Sequence, residues 1–198
     1  MSAPLPLGVF WGLRRLADDG GRFMLLDLRG AEAAVLAELL AGLAPFATGV
    51  VLDPEPGRAV WRRWATPLFG RVEAAADDAA VAAAKRTGAD AVLAPAALAA
   101  AARDHEIARL GDDPAADLRL DGTDEAPCLA VTAGDPAVVE AARSPCCGYL
   151  LTPTFWHAAL RGLDGAARRR AIADDLAPGV QRLNAATADL PAGTWLGT

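Results

Sequence analysis

Gly21-Arg22-Phe23-Met24-Leu25-Leu26-Asp27-Leu28-Arg29-Gly30 sets four consecutive apolar residues between an arginine and an aspartate, then turns at a glycine. A short, unbroken apolar run of this kind predicts a strand over 23–26 that is buried on both faces. Residues 31–43 follow as a helix, with Val35, Leu36, Leu39, Leu40 and Leu43 on one side. The same alternation continues along the chain. Strands are expected over 48–52, 89–93, 128–131 and 148–151, with a further short one over 117–120 inside a loop of residues 112–126. Helices are expected from Asp77-Asp78 to Gly88, from Pro95 to about Arg109, over 136–143, and through two or three segments ending near Thr187. Apolar strands separated by helices imply a parallel sheet covered on both faces, which a barrel or an open doubly wound sheet satisfies equally. No Gly-x-Gly-x-x-Gly follows the first strand, which weakens a dinucleotide-binding reading.

Composition narrows the class. The 198 residues suit one domain, 1–198, and 53% hydrophobic residues supply a sizeable core. Alanine fills 48 positions, which favours helix. A net charge of −6 and a pI near 4.9 exclude a general phosphate-backbone binder, so no nucleic-acid partner is expected. No apolar run reaches the roughly 18–20 residues of a membrane span. The first 15 residues place their charges after the apolar stretch, the reverse of a signal peptide. Three cysteines, of which Cys146 and Cys147 are neighbours, do not form a disulfide framework. A soluble cytoplasmic protein is the expectation.

Several blocks resemble the tagatose-bisphosphate aldolase family. They are Gly12-Leu13-Arg14-Arg15-Leu16-Ala17 with the strand quoted above, Val51-Leu52-Asp53-Pro54-Glu55, Lys85-Arg86-Thr87-Gly88-Ala89-Asp90-Ala91-Val92, and Leu129 to Gly134 followed by Gly148-Tyr149-Leu150-Leu151 and Trp156. The resemblance covers about half the chain in the family's order. It implies a (β/α) TIM-type barrel, shortened to about six to eight parallel strands. It also implies aldol chemistry through a lysine imine, and here the sequence departs from the family. The chain is about a third shorter, the deficit falling between Leu93 and Pro127. Its 19 basic residues are one lysine, Lys85, and 18 arginines. Lys85 falls on the helix before a strand, away from the C-terminal strand ends where barrel chemistry occurs. Arg119 stands where the imine lysine is expected, and a guanidinium does not attack a carbonyl. Leu93 replaces another family lysine, and Thr152-Pro153 replaces the Gly-Arg turn that binds phosphate.

The remaining candidates are weighed on chemistry. Asp27 and Arg29 close the first strand and could hold a ligand hydroxyl or carboxylate, or simply pair with each other. Asp53 and Glu55 close the second and could bind a divalent cation, divide acid and base roles, or cap the next helix. His157, beside Trp156, is the better proton-transfer candidate of two histidines, since His105 sits in a charged surface segment. Thr132 and Thr152, at the last two strand ends, join Arg29 and Arg119 as candidate substrate ligands. No histidine or cysteine spacing matches a metal site, so neither metal nor cofactor is expected. The cysteines read as buried thiols. Trp61 and Trp64 read as packing residues on the barrel or on a partner chain, and Arg168-Arg169-Arg170 as a solvated face balanced by Asp174 and Asp175.

Two functions stay open. One is an enzyme acting on a small carbonyl or hydroxylated metabolite without an imine, a carbon–carbon lyase or isomerase working by acid–base chemistry. Asp27, Asp53, Glu55 and His157 would then be the catalytic set. The other is a non-catalytic barrel that binds a metabolite or a protein. A shortened barrel would leave a strand edge or apolar surface bare. With tryptophans at 11, 61, 64 and 195, this predicts a homodimer or larger homo-oligomer. The competing expectation is a monomer whose C-terminal helices cover the gap.

Overall fold

The computed structural model describes residues 5–64, 69–121, 127–142, 146–188 and 190. Eight parallel strands close on themselves: β1 (Phe23–Asp27), β2 (Gly49–Leu52), β3 (Gly70–Ala74), β4 (Ala91–Leu93), β5 (Ala108–Gly111), β6 (Leu118–Leu120), β7 (Cys128–Thr132) and β8 (Cys146–Leu151). The final ladder joins β8 to β1, with Leu25 opposite Leu150 and Leu26 opposite Leu151. The barrel is complete, and the bare strand edge expected from the short chain does not exist.

Alternation sorts the side chains. Phe23, Leu25, Val51, Val72, Ala91, Ala108, Leu110, Leu118, Leu129 and Leu150 pack inside. The first helix, α1 (Leu7–Leu16), closes the N-terminal end by adding Val9, Leu13 and Leu16 to that core. It sits so close that a Cβ on Gly12 would collide with the main-chain oxygen of Asp90. Outside, α2 (Ala33–Leu43), α6 (Pro136–Ala141), α7 (Thr154–Leu160) and, after α8 (Gly165–Ala171), α9 (Ala177–Ala186) bury leucines, Trp156 and Val180 against β1, β2, β7 and β8. On the other flank, α4 (Asp78–Arg86) and α5 (Ala99–Asp104) lay Val81, Ala84 and Ala102 against β3 and β4. Helix α4 begins where Asp77 accepts from the Ala80 N–H and ends where Gly88 turns at a φ of 78°.

Two expectations change. The helix read over 95–109 stops at Asp104, Glu106 takes a positive φ of 47°, and Ala108–Gly111 is β5. Strand β3 has no counterpart among the predicted strands. Its outward residues are charged and buried: Glu73 accepts from Arg58 Nε at 3.0 Å and lies 3.2 Å from Arg71, whose guanidinium donates to the Thr87 carbonyl at 2.7 Å. The coat follows the loop expected from residue 112 onward. The connection from β5 to β6, residues 112–117, contains no helix, and none occurs among the described residues between β6 and β7. There Arg109, 1% exposed and outward-facing, holds Asp113 at 2.6 Å through each of two nitrogens. Trp61 lies in the outer core stacked on Phe69, with Trp64 edge-on to that ring. Trp195 falls outside the described residues.

Candidate active site at the barrel mouth

The C-terminal strand ends surround a cavity of about 750 Å³. Its floor and walls are mostly aliphatic: Ala74 to Ala76 after β3, Leu93 to Pro95 after β4, Gly111 after β5 and Leu120 on β6. Three charged side chains enter it, Arg29, Asp53 and Asp112.

Strand β1 delivers the first of these with a fixed orientation. Asp27, 2% exposed, accepts from Arg29 Nε at 2.9 Å and from Arg29 Nη2 at 2.7 Å, and also from the Arg29 main-chain N–H at 3.1 Å. The buried carboxylate thus holds one edge of the guanidinium. Both Nη1 hydrogens and the second Nη2 hydrogen have no acceptor among the described residues. The bond to Asp27, with the nearby charges of Asp27 and Asp53, raises the Arg29 pKa against the opposing effect of burial, so the cation is permanent. From the end of β2, Asp53 accepts the Gly30 N–H through Oδ2 at 2.8 Å, which ties the first two loops together and leaves Oδ1 available. Trp156 on α7 donates to the Asp27 main-chain oxygen at 2.9 Å from behind.

The other predicted residues lie elsewhere. Glu55 is exposed in the loop-like first turn of α3 (Pro54–Trp64) and does not line the cavity. His157 is exposed on α7 and borders a separate cleft of about 280 Å³ with Glu32, Arg161 and Arg168. Thr132 is buried with its hydroxyl spent on its own loop, accepting from Gly134 and Asp135 at 3.1 and 3.0 Å. Thr152 is half-buried, its N–H bound to the Thr132 carbonyl. Arg119 lies between the inward Leu118 and Leu120, so the pleat turns it to the outer face of β6. Lys85 lies at the opposite end of the barrel, its Nζ on the Glu106 carbonyl at 2.7 Å just before β5. Asp112 and the alanine wall are the liners that sequence reading misses. Both follow strands, β5 and β3, whose pattern is not continuously apolar.

The cysteines are buried: Cys128 and Cys146 touch across the β7–β8 ladder at 3.1 Å, and burial pushes the Cys147 thiol up to about 12. Among the described residues no group of three or more histidines, cysteines and acids could hold a metal. No helix of the described residues is long and apolar enough to cross a membrane.

Known structures share this architecture. The tryptophan synthase complex from Pyrococcus furiosus superposes with a TM-score of 0.56 at 13% identity, covering 82% of this chain and 97% of that one. A native KDPGal structure gives 0.50 at 15% identity, covering 82% and 94%. The chain is a TIM barrel. Identities this low establish the fold alone. No protein-family model matches the chain, and no curated protein matches it.

Proposed function

We propose that the barrel mouth carries out acid–base chemistry on a small carbonyl or hydroxylated metabolite without a lysine imine. The observation that carries this reading is the open edge of the Arg29 guanidinium beside the Asp53 carboxylate, with Lys85 at the far end. In a retro-aldol step Asp53 takes the proton of a β-hydroxyl, and that oxygen's electrons form the new carbonyl. The carbon–carbon bond breaks and its pair passes into an enolate whose oxygen rests on Arg29. Asp53 then returns the proton to the enolate carbon. In an isomerisation Asp53 takes the proton of the hydroxyl-bearing carbon, the enediolate oxygen rests on Arg29, and Asp53 returns the proton to the former carbonyl carbon while the hydroxyl proton passes to the other oxygen. The resemblance to tagatose-bisphosphate aldolases supports this class of chemistry, and the departures at Leu93, Arg119 and Thr152-Pro153 support loss of the imine and phosphate devices.

The test is turnover of a panel of ketoses, aldoses and hydroxyketones. Asp53→Asn should abolish any activity found, while borohydride should trap no adduct. Unchanged turnover in that variant, or an adduct on Lys85, would defeat the assignment. A non-catalytic metabolite-binding barrel is favoured by one observation, the aliphatic Leu93 and Leu120 at the ends of β4 and β6. Binding without turnover across the panel would select it.

The same proposal includes a homodimer or larger homo-oligomer in the cytoplasm. Closure of the barrel removes the strand-edge ground, and what remains is α1, where Leu7 is 69% and Trp11 56% exposed. Light scattering should give at least about twice the 20.4 kDa chain mass. A single-chain mass at all micromolar concentrations would overturn it.

A further inference from the structure

The charge around the mouth limits what can enter it. Asp27 neutralises Arg29, and Asp53 and Asp112 then add two carboxylates to a cavity with otherwise aliphatic walls. Arg29 is the only cation among the described residues lining it. A site that binds a phosphate ester gathers several arginines, lysines or main-chain N–H groups around the oxyanion. This mouth has the opposite balance, and a dianion would enter against a net negative field made stronger by the apolar surroundings.

The chemistry left to the cavity is specific. The open edge of Arg29 offers donors to a carbonyl or hydroxyl oxygen, and Asp53 Oδ1 accepts from a hydroxyl. Neither contact needs a charge on the ligand. Ala74, Ala75, Leu93, Ala94, Pro95 and Leu120 offer nothing to a second polar end, but they fit a hydrocarbon portion. We infer that the mouth takes an uncharged hydroxy-carbonyl compound with an apolar part, in place of a sugar phosphate. This rests on the reading of the mouth as the functional site and names the substrate class for it.

Binding decides it separately from turnover. Calorimetry on the full chain would compare 4-hydroxy-2-butanone and dihydroxyacetone with dihydroxyacetone phosphate, at low and moderate salt. The expected result is that the neutral compounds bind at least about tenfold tighter than the phosphate ester, with little salt dependence. Arg29→Gln should weaken the neutral compounds by about tenfold. Asp53→Asn should weaken their binding yet narrow the gap to the phosphate, which a merely structural Asp53 would not do. Tighter binding of the phosphate ester, or no binding of any neutral compound by the folded chain, would overturn the inference. Neutral binding without turnover would uphold it and remove the enzymatic reading instead.

Discussion

The indole N–H of Trp156 donates to the main-chain oxygen of Asp27 at 2.9 Å, joining the helix that follows the last strand to the end of the first. The residues are 129 positions apart, and the bond is buried. Asp27 is therefore fixed from two sides, its carbonyl by Trp156 and its carboxylate by Arg29.

Trp156→Phe keeps most of the apolar volume but leaves that carbonyl without its donor. A loss of about 1–2 kcal/mol is expected in urea unfolding, together with weaker ligand binding at Arg29. Unaltered stability would mean that water replaces the indole at no cost.

Asp27→Asn removes the charge that holds the guanidinium edge. The Arg29 cation stays, but its orientation is released, so affinity for neutral oxygen ligands should fall by about tenfold. Affinity for phosphate esters should rise as the field becomes less negative. Titration of both ligand types checks the opposite signs.

Asp113 has its pKa lowered, chiefly by its bonds to the buried Arg109 guanidinium. A carboxyl depressed in the folded state contributes stability above its unfolded value, near 3.9, and loses it as pH falls through the folded value. The stability gap between the parent chain and Asp113→Asn should thus be full at neutral pH, about 1.5–3 kcal/mol, and close below about pH 4. A gap that does not change with pH would exclude the ion pair as its source.

Gly12→Ala should raise helix propensity by about 1 kcal/mol and still destabilise the protein. The added methyl meets the Asp90 carbonyl, so α1 must lift from the barrel end. Thermal melting of this variant beside Gly42→Ala compares a main-chain contact with a side-chain one: the latter meets Cγ2 of the buried, β-branched Ile172, so it too should lower the melting temperature.

Strands with continuous apolar runs were legible without coordinates, since β1, β2, β4, β7 and β8 each bury both faces. Strands β3 and β5 hide because Arg71, Glu73 and Arg109 occupy their outward positions. Each is buried with a partner distant in sequence or lying past the strand end: Thr87 for Arg71, Arg58 for Glu73 and Asp113 for Arg109. In β5 the arginine also follows an alanine-rich helix and reads as its polar face. Asp27, Arg29 and Asp53 were legible as strand-end residues. Glu55 and His157 share the strand-end neighbourhood in sequence, but one faces solvent and the other belongs to the next helix. Asp112 could not be placed until β5 was.

The connection from β5 to β6 shows what sets the smallest size of such a barrel. Six residues return the chain to the start of the next parallel strand, where a crossover ordinarily takes a dozen or more and a helix. The helix is dispensable here because the outward side chain of β5 is an arginine, 1% exposed, that the connection itself closes over: Asp113 and the Ala94 carbonyl bind its guanidinium. A strand whose outward charge is paired by its own following turn needs no helix laid over it. Architecture in this fold can therefore be shortened one crossover at a time, wherever a short loop carries the counter-ion that closes over the strand's outward side chain.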